Sequence, residues 1–153
     1  MNDLPNCVFC GIVAGSEPAS VIFEDDVIMA FMGIRPIRPG ECMVIPKRHI
    51  DHFTDIDDEI SQRIILVSQH IGRRIPDVFK PQRVGMVVHG YGVPHAHLIL
   101  VPQHDPYDIT SARFAYLENG ELSFGIKNVP FADRATLDKH ARLLRIDGSR
   151  LGS

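Results

Sequence analysis

Gly90-Tyr91-Gly92-Val93-Pro94-His95-Ala96-His97-Leu98-Ile99-Leu100-Val101-Pro102 reads as a glycine-rich turn feeding a strand, with two histidines at the strand's entrance. Side chains alternate across a strand, so His95, His97, Ile99 and Val101 are expected on one face. Ala96, Leu98 and Leu100 are expected on the other, filling a core. The two imidazoles then stand about 7 Å apart along the backbone. Such a pair suits a metal, a phosphate or a proton transfer. Gly90 and Gly92 lack Cβ, so a ligand can approach the backbone and meet its N–H groups. Pro94 offers no N–H, which limits that cradle.

The rest of the chain reads outward from this stretch. Arg83 to His89 is a strand that precedes the turn, and His95 to Val101 is the strand that follows it. Upstream, Asp57-Asp58-Glu59 opens a helix, with acidic residues where the helix dipole favours them. Ile60, Ile64, Val67, Ile71 and Ile75 recur at helical spacing, and Pro76 is expected to stop the regular helix. Glu41 to Pro46 is a further strand, followed by Lys47-Arg48-His49. The cations there can draw in an anion or simply form a solvated strand end. Gly33 to Gly40, rich in proline and glycine, is a loop. Val21 to Phe23 and Val27 to Phe31 form two strands around a turn at Asp25-Asp26, and Val8 to Val13 a short helix. Downstream, Gln103 to Ala112 is polar and irregular. Tyr116 to Ile126 reads as a hairpin turning at Asn119-Gly120, Arg134 to Arg145 as a helix, and Gly148 to Ser153 as a frayed tail. Successive strands, one long helix and more strands point to an α+β fold with an antiparallel sheet.

The 153 residues fit a single domain, 1–153. A net charge of −3 gives no overall basic field to recruit a nucleic acid polymer. No apolar run reaches the length of a membrane span, and Met1 to Pro5 lacks the pattern of a signal peptide. Both point to the cytoplasm. Three cysteines, an odd number, argue against a disulfide framework. Cys42 sits in an apolar run and reads as a core thiol. Cys7 and Cys10 form a Cys-x-x-Cys pair, open to zinc binding, redox chemistry or two small buried hydrophobes.

Taken together, these stretches resemble the histidine triad (HIT) family, marked by His-φ-His-φ-His-φ-φ with φ hydrophobic. The match is His95-Ala96-His97-Leu98-Ile99-Leu100-Val101, with isoleucine at the third histidine. Cys7 to Val13 resembles the family's opening, Phe23-Glu24-Asp25-Asp26 its first turn, and Val44-Ile45-Pro46-Lys47-Arg48-His49 its strand end. The likeness covers about 7–102, in order, and 103–153 stands as a C-terminal extension. The turn resembles a bacterial variant of the family.

The resemblance implies a five-stranded antiparallel sheet with one long helix and a short N-terminal helix. It implies a homodimer acting on a small nucleotide or phosphate ester at its α-phosphate. His97 is then the catalytic nucleophile, forming a nucleotidyl-histidine through Nε2 while a backbone carbonyl holds Nδ1–H. The resemblance also implies one structural zinc per chain, held by Cys7, Cys10, His49 and His95. Phe31, Ile34, Gly90, Tyr91, Gly92, Val93 and His104 are the substrate-binding candidates.

Several positions depart from the family's pattern. Ile99 can neither donate nor accept a proton, Gly33 stands where a ribose-gripping aspartate is usual, and Tyr91 and Gly92 replace phosphate-facing polar residues. His104 is the first candidate for a relocated proton donor. His89 is a second-rank candidate to face the pocket. His52 reads as solvated, His70 as a boundary residue, and His140 as lying on a polar helix face. Two other readings remain. One is a zinc hydrolase with an open site of His89, His95 and His97, for which the motif offers no general base. The other is a zinc-stabilised nucleotide-binding protein with weak or no catalysis.

Overall fold

The computed structural model describes residues 6–151, so the amino-terminal stretch Met1 to Pro5 and the last two residues of the expected tail lie outside it. Five strands form one antiparallel sheet: β1 (Val21–Glu24), β2 (Ile28–Met32), β3 (Cys42–Pro46), β4 (Arg83–Val87) and β5 (Leu98–Gln103), in the order β1-β2-β3-β5-β4. This is the expected α+β architecture. Asp25 makes the first turn, its Oδ1 accepting the N–H groups of Val27 and Ile28 at 2.8 Å each.

One face of the sheet carries the main core. Helix α2 (Asp58–Phe79) lays Ile64, Val67, Ile71 and Ile75 against Ala30, Val44, Leu98 and Leu100. The helix does not end at Pro76. Pro76 has no N–H to donate back to Gly72, yet Val78 and Phe79 still pack on the core, and this burial carries the helix one turn further. A last helix, α3 (Arg134–Leu144), adds Leu137, Ala141 and Leu144 to the same core. His140 turns its ring edge-on to Phe79 at 4.9 Å and so belongs to the α2–α3 contact, not to a polar face. The expected frayed tail is docked as well. Leu151 is 4 % exposed, and its carbonyl accepts a 3.2 Å hydrogen bond from Arg63.

The other face is divided. Helix α1 (Val8–Ala14) covers β2 and β3 through Phe9, which meets Phe31 edge-on at 5.4 Å beside Met29 and Ile45. The β4–β5 end is faced by the extension, residues 103–131. It contains the expected hairpin, β6 (Ala115–Glu118) and β7 (Glu121–Phe124), with Asn119 and Gly120 both at positive φ, as a tight two-residue turn requires. Between α1 and the extension the sheet stays open.

Strand ends shift by a few residues, with one consequence. β5 begins at Leu98, not at His95. The N–H of His95 bonds Val93 O at 2.8 Å and that of Ala96 bonds Ile50 O at 2.7 Å, so neither residue can join the ladder. β4 therefore ends at Val87, opposite Ile99, because Val88 and His89 have no strand to pair with. Among the described residues no helix is long and apolar enough to cross a membrane.

Candidate functional site

The turn Gly90 to Pro94 leads into the gap between α1 and the extension. Gly90 (φ 78°) and Gly92 (φ 95°) occupy the left-handed region, so a side chain at either would be strained. The turn delivers His95 and His97 to one feature, the ring of Phe9, at 5.8 Å and 5.3 Å edge-on. As the sequence pattern expects, His95 lies on the same side as His97, and both rings border a small pocket beside Phe9. His95 is wholly buried beneath α1, while His97, Ile99 and Val101 line a common cleft.

His95 meets the N-terminal cysteines. Its Nδ1 lies 3.4 Å from Cys7 Sγ and 3.6 Å from Cys10 Sγ, and His49 Nδ1 lies 3.3 Å from Cys10 Sγ. All four donor atoms fall within 4.8 Å of one another. The geometry comes from three local devices. Cys7 caps α1 and accepts the Cys10 N–H on Sγ, which holds both sulfurs at one helix end. His49 follows the end of β3. His95 Nε2 lies 2.8 Å from Pro46 O. A carbonyl can only accept, so the proton sits on Nε2 and the Nδ1 lone pair faces the sulfurs. Burial, the largest influence, lowers the pKa of His95 and favours the neutral ring a metal needs. Two thiols and two imidazoles form a four-donor site able to hold one metal ion.

His97 is oriented in the opposite sense. Its Nδ1 lies 2.7 Å from the carbonyl of His95 and must donate to it, which leaves the Nε2 lone pair free. The ring borders a shallow pocket of about 120 Å³ shared with Gly90, Val93 and the 51–54 loop. On its other side it borders a cleft of about 570 Å³.

That cleft is built largely from residues that sequence patterns did not single out. Its floor is Ile99 and Val101 of β5 with Glu41 at the head of β3, and its far wall is Ile109, Phe114, Phe124 and Ile126 of the extension. Asp108 locks the wall. Wholly buried, it accepts from Arg38 Nε at 3.0 Å, from Arg113 Nε at 2.8 Å, and from the His104 and Asp105 N–H groups at 2.8 and 3.1 Å. Burial alone would raise its carboxyl. The hydrogen bonds from His104, Arg113 and Arg38 outweigh this and hold it at about 2. Arg35 ties the loop after the hairpin to the sheet through the carbonyls of Ile126, Lys127 and Val129. Glu41 had one visible signal, a carboxylate in period with Met43 and Ile45. Asp108 had none, because one of its arginine partners, Arg38, lies 70 positions away and its burial depends on that pairing.

The other candidates are dispersed. Tyr91, Gly92 and His89 line the large cleft, and Gly90 and Val93 the small pocket. Phe31 is covered by Phe9 and only 3 % exposed. Ile34 is exposed and holds the Ala132 N–H through its carbonyl. His104 lines neither space, its N–H being taken by Asp108. His52 is exposed beside Asp51.

Residues 14–105 match the HIT domain family. A Bacillus subtilis relative, "Protein hit", is 31 % identical over 113 residues, covering 71 % of this chain and 78 % of its own. A Zn-bound histidine triad family protein from Mycobacterium smegmatis superposes with a TM-score of 0.67 at 28 % identity, over 92 % of this chain and 91 % of its own. A HIT family hydrolase from Legionella pneumophila gives 0.56 at 34 % identity, over 63 % and 91 %.

Proposed function

Because the chain belongs to the HIT domain family, we propose that it transfers or hydrolyses nucleotidyl groups at an α-phosphate through a covalent intermediate on His97. The observation that carries this is the 2.7 Å bond from His97 Nδ1 to the His95 carbonyl, which leaves Nε2 as a free nucleophile at the mouth of a cleft. Nε2 attacks phosphorus, the leaving group departs, and water then releases the nucleotide. The glycine turn beside it offers backbone N–H groups to the phosphoryl oxygens. The Legionella relative's description as a hydrolase supports the same class of reaction.

The metal site is structural in this reading. Cys7, Cys10, His49 and His95 hold one zinc per chain, as the Zn-bound Mycobacterium relative suggests. Four protein donors would complete the coordination that a structural zinc takes, so a bound ion would supply rigidity and no activated water. That disfavours an open site of His89, His95 and His97. His95 serves the sulfurs, and His89 lies beyond it, 5.7 Å from Tyr91. The two thiol ligands fit a reducing cytoplasm. The unpaired outer edge of β4, with Met86 exposed, is suited to a homodimer contact. The net charge of −3 gives no overall basic field to favour a nucleic acid polymer.

Ile99 favours one second reading, a zinc-stabilised nucleotide-binding protein with weak or no catalysis. Mass spectrometry of protein quenched in alkaline denaturant, after incubation with a nucleoside phosphoramidate and an AMP aryl ester, separates the two. The first predicts one nucleotidyl group on His97. Bound nucleotide with no adduct and no turnover supports the second.

A further inference from the structure

Gly33, next after β2, has no side chain, and a Cβ there would lie 3.6 Å from Oε1 of Glu41, at the head of β3. The Glu41 carboxyl thus occupies ground that position 33 leaves open. Its Oε2 accepts the Ile37 N–H at 2.9 Å, whereas among the described residues no donor reaches Oε1. The backbone is fixed on both sides. The Glu41 N–H bonds Arg38 O at 3.1 Å, and the Glu41 carbonyl accepts the Gly33 N–H at 3.0 Å. Burial pushes the carboxyl up to about 7, and the Ile37 N–H opposes it more weakly. A partly buried carboxyl with a free acceptor oxygen is stabilised by an O–H that reaches it.

Glu41 lines the same cleft as His97. Cys42 pairs with Leu100 and Met43 with Ile99, so Glu41 comes opposite Val101, on the face that carries Ile99. His97 and Val101 are about 13 Å apart along the strand. Ile99, between them, neither donates nor accepts. The end of the cleft past Val101 is apolar as well. Ile109 lies against Gly85, the β4 partner of Val101, and Phe114, Phe124 and Ile126 complete that wall. Such side chains can cover the face of a flat ring and cannot hydrogen-bond its edge.

The other polar groups at this end are already engaged. Arg35 is held by the carbonyls of Ile126, Lys127 and Val129. Asp108 accepts from two arginines and two backbone N–H groups. His89 and Tyr91 lie together on the side of the glycine turn, their rings 5.7 Å apart. Glu41 keeps an acceptor to spare.

We propose that Glu41 selects a ribonucleoside by accepting a hydroxyl of its sugar on Oε1. The inference rests on the reading of His97 as the residue that attacks an α-phosphate, and it adds which half of the substrate the large cleft receives. Along a nucleotide the sugar follows the phosphate and the base follows the sugar. With phosphorus at His97 Nε2, the sugar lies over Ile99 and its hydroxyls meet Glu41. The base continues to the wall of Phe114 and Phe124. Apolar contact covers the base there, so the cleft reads the sugar more closely than the base. A deoxy sugar leaves Oε1 without its donor. Loss of one hydrogen bond to a charged group costs on the order of 10- to 100-fold.

The test compares the 5′-phosphoramidates of adenosine, 2′-deoxyadenosine, 3′-deoxyadenosine and uridine as substrates of wild type and Glu41→Gln. In the variant the amide oxygen stays with the Ile37 N–H. Its NH2 then takes the place of Oε1, where it accepts nothing. Wild type should prefer adenosine to at least one of the deoxy sugars by roughly 10-fold or more in kcat/KM. Glu41→Gln should erase most of that preference and leave the rate with that deoxy sugar near the wild-type value. Thermal melting checks the fold. Glu41→Asp, whose carboxylate is one methylene short, should lower the same ratio and serves if the glutamine variant does not fold. Wild type without a sugar preference overturns the proposal, and so does a variant that slows every substrate alike or keeps the preference. A variant that changes the adenosine-to-uridine ratio in place of the sugar ratio assigns the carboxyl to the base and overturns it too. The His97 adduct is measured in the same samples. If wild type labels His97 and shows no sugar preference, only this inference fails. If no substrate labels His97, the nucleophile reading fails and the sugar site fails with it.

Discussion

The carbonyl of His95 accepts the Nδ1–H of His97 at 2.7 Å, so the residue that anchors the metal site also sets the tautomer of its neighbour two positions on. His95 is itself fixed at both ring nitrogens, by Pro46 O on one side and the cysteine sulfurs on the other. Order at the metal site is thereby passed to the His97 ring through a single backbone carbonyl.

His97→Ala removes the Nε2 proposed to attack phosphorus and none of the four clustered metal donors. The variant is expected to keep its metal and its melting temperature within about 2 °C. It should lose the nucleotidyl adduct and roughly 10³-fold or more in turnover. Intact-protein mass spectrometry and steady-state rates decide this. Turnover surviving in His97→Ala rules out the covalent route.

Metal analysis of protein purified without chelator should find about one zinc per chain. Cys7→Ser should lower that content and the melting temperature by about 5 °C or more, corresponding to roughly 2 kcal/mol for a chain of this size. Because the four donors close the site, chelation should reduce stability before it reduces single-turnover chemistry. Equal melting curves for Cys7→Ser and wild type would remove the site from the account.

Asp108 joins the extension to the sheet, and replacing it leaves Arg38 and Arg113 facing a neutral group. Asp108→Asn is expected to cost about 3 kcal/mol in urea unfolding. It should also expose the 104–131 segment to limited proteolysis. The pH dependence follows from the lowered pKa. The fold favours the ionised form, so this contribution is full above about pH 4 and is lost as pH falls toward 2. In Asp108→Asn the acid unfolding curve should lose that part of its slope. An unchanged curve would mean the cluster contributes nothing.

Leu151 fills the main core from the end of the chain, and Gly148 lets the backbone pass the Phe23 ring, where a Cβ would come within 3.3 Å. Leu151→Ala should destabilise the protein by about 2–4 kcal/mol. A loss below about 0.5 kcal/mol in chemical denaturation would return this segment to the status of a loose tail.

Local patterns determined a good deal by themselves. The alternation of Leu98 and Leu100 against Ile99 and Val101, the helical spacing of Ile64 to Ile75 and the Asn119-Gly120 turn all depend on the backbone's own periods, which neighbours along the chain specify. The donor set Cys7, Cys10, His49 and His95 was legible only through the resemblance to the family, because a Cys-x-x-Cys pair alone leaves zinc, redox chemistry and burial open. The point at which β5 starts was not legible. Ile50, 46 positions before Ala96, takes the backbone N–H that the ladder would have used. The cleft beside His97 was decided only in three dimensions. Arg38 and Glu41 share one loop, but Asp108 and Val101 come from far along the chain, and register, burial and charge pairing bring them together, none of which a short window of residues contains.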